Sequence, residues 1–164
     1  MQAHFSYPFL AALAFANMAG IPFSAVDAFF VIGSSMLPDL DYFVALWEKK
    51  RHPERTVAHH SYITHVPVVY VPVVLVVWAL GGAGNAAWTA YGILSHFIMD
   101  TFIAADGVRW LYPWKKKFFC WTTWTYNAHG KEWLIQYRAL PIYRLDMIFF
   151  AGAVVVLITS FLLS

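Results

Sequence analysis

The stretch Gly33–Phe43 reads "GSSMLPDLDYF", and how it is read decides the fold. Apolar sequence flanks it, so that 24–47 is long enough to cross a membrane. Yet it carries Asp39 and Asp41, two residues apart and just behind Pro38. Either the apolar segment ends early and "PDLD" is a solvated turn, or two carboxylates sit near membrane depth and face other polar groups. On a regular helix, residues two apart diverge by about 200°, so both aspartates can face one site only if Pro38 distorts the backbone.

The remainder of the chain favours the membrane. Of 164 residues, 60% are hydrophobic and 12% charged, and mean hydropathy is +0.57. A soluble domain averages about 25% charged residues. Apolar runs occur at roughly 5–20, 24–47, 66–83, 86–105 and 145–163, divided by the turn signals "GIPFS" and "GGAGN". The expected fold is all-α: a polytopic transmembrane helix bundle of about five spans. It becomes four spans if the first, which contains Pro8, lies at the interface. Residues 1–164 read as one integral membrane domain. The first Lys or Arg is Lys49, so the N-terminal run lacks the basic start of a signal peptide and reads as a retained span. A single cysteine, Cys120, excludes an internal disulfide or a Cys-rich metal cluster. A net charge of +2 gives no reason to expect a nucleic-acid partner.

The basic residues are segregated. All 11 lie either among Lys49, Lys50, Arg51 and Arg55, or between Arg109 and Arg144. The positive-inside rule puts both segments on the cytoplasmic face. Segment 107–144 is aromatic and basic, including "WLYPWKKKFFCWTTWTY", and is too long for a bare connector. It reads as a membrane-surface segment, with Trp47, Trp110, Tyr112, Trp114, Trp121 and Trp124 as an interfacial aromatic belt. It is also a candidate contact for lipid, substrate or a membrane-protein partner.

Ionisable residues inside spans are costly and usually functional. Besides "PDLD", three groups stand out. "HHSYITH" carries His60 and His65 at the start of the third span. "LSHFIMD" places His96 and Asp100 one turn apart on one helix face. His4 lies at the start of the first span. Each has a plain structural reading: a polar helix start, or a buried His–Asp hydrogen bond. The alternating topology, however, sets His4, Asp39, Asp41, His60, His65, His96 and Asp100 at similar depth on one side. Imidazole nitrogen and carboxylate oxygen together suit Zn²⁺ and related divalent ions, one or two of them.

In order and spacing these motifs resemble the membrane-bound metal-dependent hydrolases, also described as LexA-binding, inner-membrane-associated hydrolases. That family has an N-terminal His, then G-s-x-x-P-D-x-D, H-R-x-x-T-H-S, s-H-x-x-x-D and G-v-x-l-l-y-P-f. Here they read His4, "GSSMLPDLD", "HSYITH", "SHFIMD" and "GVRWLYPW", over roughly residues 4–114. Ser61 stands where the family has Arg, and Val66 where it often has Ser. The family is similar in motif order to zinc-dependent phospholipases C and P1-type nucleases, which implies a phosphoester or phospholipid-like substrate. The resulting expectation is a hydrolase of the bacterial or archaeal inner membrane, with His4, Asp39, His60, His65, His96 and Asp100 as ligands. Asp41 would be a general base or bridging ligand, and Arg109 a group that neutralises developing negative charge. Two other readings stay open: a non-catalytic membrane subunit with a structural metal, and a metal or proton transporter.

Overall fold

A computed structural model describes residues 2–51, 62–103, 107–121, 138 and 141–163. Among them the protein is all-helical, with a single isolated antiparallel bridge between Val108 and Phe119. The helices are α1 (Gln2–Ala19), α2 (Ala25–Met36), α3 (Asp41–Arg51), α4 (Val71–Ile103) and α5 (Pro141–Leu163). By length and composition one of these, extended to Pro67–Phe102, is a clear candidate to cross a membrane.

Two boundaries position the site. The run 24–47 is broken at the proline where a distortion or an early end was expected. Ser24 and Asp27 form a capping box that starts α2 sharply. α2 then stops at Met36, a 3₁₀ turn covers Pro38–Leu40, and α3 begins at Asp41. Pro38 has no N–H to donate and tightens the chain at that point. The second boundary lies within α4, which is continuous in outline but breaks at Gly82 (φ 82°, ψ 174°), where the turn was expected. That conformation is essentially confined to glycine. The two halves fold back on one another. In a straight helix Tyr70 and Phe97 would lie about 40 Å apart; their ring centroids are 5.8 Å apart. Tyr70, on the 3₁₀ turn Pro67–Tyr70 that leads into α4, and Val74 from the first half pack in one cluster with Ile93 and Phe97 from the second. The "GGAGN" signal thus marks the corner of a helical hairpin.

α1 packs against α2, α4 and α5. Phe9, Ala28 and Ala153 form their shared core, ringed by Phe5, Leu13, Ile32 and Val156. The Tyr91 hydroxyl donates to the Pro8 carbonyl at 3.2 Å, tying α4 to α1. α2 and α4 approach closest at Gly92, where a Cβ would lie 2.1 Å from Ser34 Oγ and 2.5 Å from the Val31 carbonyl. Such small-residue contacts let helix backbones pack closely when hydrophobicity does not distinguish inside from outside.

The distribution of polarity is inverted relative to a soluble domain. Ser6, Ser35, His65, His96 and Asp146 are fully buried, whereas Leu80, Phe29 and Ile148 are 86%, 71% and 67% exposed. Water would penalise that arrangement on both counts; lipid around the helices removes the penalty on the apolar side.

Candidate metal centre

The 3₁₀ turn at Pro38–Leu40 resolves the angular problem of the two aspartates. Both are buried, and they approach the same imidazole from opposite ends. Asp41 Oδ2 lies 2.7 Å from His65 Nδ1, and Asp39 Oδ1 lies 3.9 Å from His65 Nε2. His65 is itself carried on a second 3₁₀ turn, Ile63–His65, whose Thr64 hydroxyl also donates to Asp41. α4 contributes His96 and Asp100, which meet Nε2 to Oδ2 at 3.1 Å as their spacing requires.

Four ligand-type atoms therefore converge: His65 Nε2, His96 Nε2, Asp39 Oδ1 and Asp100 Oδ2. His65 Nε2 is 3.8 Å from Asp100 Oδ2, and His96 Nε2 is 3.9 Å from Asp39 Oδ1. Metal–ligand bonds of about 2.0–2.2 Å put neighbouring ligand atoms about 3.3–3.6 Å apart in a tetrahedron. The four histidine–carboxylate separations, 3.1–3.9 Å, bracket that value; Asp39 groups with His4 and His96, and Asp100 with His65 and His96. The residues present fit a Zn²⁺-sized ion by chemistry and spacing.

The rings are held from behind. His96 Nδ1 lies 2.7 Å from the Ser35 carbonyl, which can only accept, so Nδ1 carries a proton and Nε2 is the nitrogen left to face Asp100 or a metal. The close approach at Gly92, one turn before His96, brings α2 near enough for that bond. For His65, Asp41 Oδ2 stands 2.7 Å from Nδ1 in the corresponding place. A histidine whose far nitrogen donates to a carboxylate or carbonyl is the usual outer arrangement of a metal-ligating imidazole.

His4 stands at the edge. Its Nε2 is 3.2 Å from Asp100 Oδ1, and its ring stacks on His96 with centroids 4.1 Å apart. With Asp39 and His96 it forms a second possible ligand group, overlapping the group of His65, His96 and Asp100. Pro8 cannot donate to the His4 carbonyl, which loosens the helical turn that presents this side chain. His60 lies outside the described residues.

Arg109 is placed beside this centre rather than in it. Its Nη2 donates to the Tyr62 carbonyl at 2.9 Å, and its guanidinium lies 5.3 Å from the ring centroids of both Tyr112 and Phe118. Tyr62 also donates to Glu48 on α3. The turn that delivers His65 is thus anchored from α3, from Asp41 and from Arg109.

Asp146, near the start of α5, is a buried carboxylate that sequence reasoning did not single out. It faces Tyr7 on α1 and lies within the field of His4. A lone acid at the head of an apolar run was the available signal. Ser35 was not accessible to such reasoning, because it acts through its carbonyl.

The family model "YdjM inner membrane protein" matches residues 1–164. No curated protein and no solved structure matches the chain. The inverted polarity of the helices and a match over the whole length agree on a membrane protein: the chain belongs to the YdjM inner membrane protein family.

Proposed function

We propose that this protein is a multi-pass inner-membrane metalloprotein that holds a single divalent ion, best matched by Zn²⁺, and hydrolyses a phosphoester or phospholipid-like substrate. The observation that carries the reading is that His65 Nε2 and His96 Nε2 each lie 3.1–3.9 Å from both Asp39 Oδ1 and Asp100 Oδ2 in a buried site. Within a span, such a cluster of ionisable groups is too costly to be kept for packing alone.

One ion is favoured over two. The two possible ligand groups share His96, whose Nδ1 is committed to Ser35, so only Nε2 is available. Asp41 holds His65 in position rather than ligating, and His4 supports Asp100. When bound, the ion supplies Lewis acidity and a water that ionises near neutral pH. The protein's own side chains hold the donor atoms at fixed distance, orient both imidazoles and keep bulk water away. In this reading α1, α2, α4 and α5 are the membrane-embedded segments, α2 being too short at 12 residues to cross alone. The site-bearing end faces the cytoplasm, where Lys115, Lys116 and Lys117 also lie.

The engagement of Arg109 with Tyr62 favours one alternative: a structural metal in a membrane subunit that acts with a partner. The two are separated by assaying zinc-loaded, detergent-purified protein on phosphodiesters and phospholipids, with His96→Ala as control. Turnover that requires both metal and His96 supports the hydrolase. Stoichiometric metal without turnover on any substrate favours the structural centre.

A further inference from the structure

Residues 107–121 fold as a compact lobe against the end of α4. Val108 and Phe119 exchange both backbone hydrogen bonds at 2.9 Å. Gly107 adopts φ 68°, and a Cβ there would lie 2.4 Å from the Phe119 carbonyl oxygen, so only glycine closes this loop. Thr101 then fastens the lobe twice: its hydroxyl accepts from Trp110 Nε1 at 2.8 Å, and its carbonyl accepts from the Trp121 N–H at 2.7 Å. Trp121 also stacks on Phe102, with centroids 5.3 Å apart.

The outer surface of this lobe has no structural use among the described residues. Trp114 and Trp121 are 79% and 76% exposed, and Lys115, Lys116 and Lys117 are exposed between them. Residues 107–121 contain no Asp or Glu. Held in a fixed loop beside the last turn of a membrane-type helix, the two indoles match the headgroup region, where an amphipathic ring is half in hydrocarbon and half in water. Three ammonium groups between them, without a carboxylate partner among the described residues, call for anions at the same depth.

We propose that the lobe is a docking surface for anionic phospholipid headgroups, with Trp114 and Trp121 seated among the acyl-chain ends and Lys115–Lys117 pairing with phosphate. Free anion is a poorer occupant, because it leaves the indoles exposed. An acidic protein surface would satisfy the lysines but would cover the indoles from the water side. The proposal does not depend on the metal reading.

The test uses the full chain in nanodiscs of phosphatidylcholine carrying equal fractions of either brominated phosphatidylglycerol or brominated phosphatidylcholine. Bromine quenches tryptophan on contact. The signal from this lobe is the wild-type quenching minus that of Trp114→Phe/Trp121→Phe. The expected result is stronger quenching by the brominated anionic lipid, at an enrichment of roughly fivefold, the scale of one lysine near an anionic surface. The preference should vanish in Lys115→Gln/Lys116→Gln/Lys117→Gln and persist in the corresponding triple arginine variant, which also guards against a folding defect. Equal quenching by the two lipids would overturn the proposal. So would a preference that survives the glutamine substitutions, or indoles quenched only by aqueous iodide, the result expected of a surface reserved for a protein.

Discussion

His65 and Asp41 meet at 2.7 Å, Nδ1 to Oδ2, and this contact turns the other imidazole nitrogen toward Asp39, His96 and Asp100. In the proposed centre it separates the roles of two carboxylates that lie two residues apart: Asp39 would ligate and Asp41 would orient. Asp41→Asn should therefore retain metal binding but weaken it about 10–100-fold, the usual cost of losing an outer partner. Asp39→Asn removes a donor atom and should weaken binding further. Competition with a fluorescent chelator measures both. Equal effects of the two substitutions would contradict the division of roles.

Gly92 makes the approach of α2 to α4 possible. In Gly92→Ala the new methyl would meet Ser34 Oγ and the Val31 carbonyl oxygen, and α2 must shift. The expected loss is about 1–3 kcal/mol of stability, as for other overpacked interfaces. Metal affinity should fall as well, because the His96–Ser35 bond stretches. Detergent unfolding curves, with and without zinc, check both effects.

Gly82 turns α4 back on itself. Gly82→Val forces a branched residue into a conformation that costs about 1–3 kcal/mol. The fold-back is checked directly by cysteines at Val74 and Ile93 in a Cys120→Ser background. They should cross-link readily within one chain, as the contacts of the hairpin require. A straight helix would place them about 28 Å apart and give no intramolecular product.

Arg109 Nη2 donates to the Tyr62 carbonyl, just before the turn that carries His65, which suits a positioning role. Arg109→Lys keeps the charge but loses the planar fork that reaches the carbonyl between two rings. Metal affinity should drop severalfold in this variant. If hydrolysis is found, its kcat should fall no more than that change in occupancy explains. A large fall in kcat at full metal occupancy would return Arg109 to the role the family resemblance implied.

Much of this was legible in the sequence because it depends on spacing. The i, i+4 relation of His96 and Asp100 survives directly as a 3.1 Å contact. The glycine-rich turn at 81–85 was placed correctly because only glycine takes the φ found at Gly82. What could not be read were distances between elements. Nothing in "PDLD" says that the two carboxylates will grip opposite nitrogens of one histidine 24 residues away. Within 24–47 the distortion expected at Pro38 is present as a 3₁₀ turn, but its form and the early end of α2 at Met36 could not be read from apolar length. The roles of Ser35 and Gly92 rest on backbone atoms and empty space, which residue type does not signal. Asp146 was passed over because it stands at the end of an apolar run, where an acid usually meets solvent.

The central claim is a single-ion centre built from His65, His96, Asp39 and Asp100. Elemental analysis of the purified protein, paired with the His96→Ala and His4→Ala variants, tests it most directly. The expected result is one equivalent of zinc per chain in the wild type, none in His96→Ala, and one, more weakly held, in His4→Ala. Two equivalents in the wild type, or undiminished metal in His96→Ala, would contradict it.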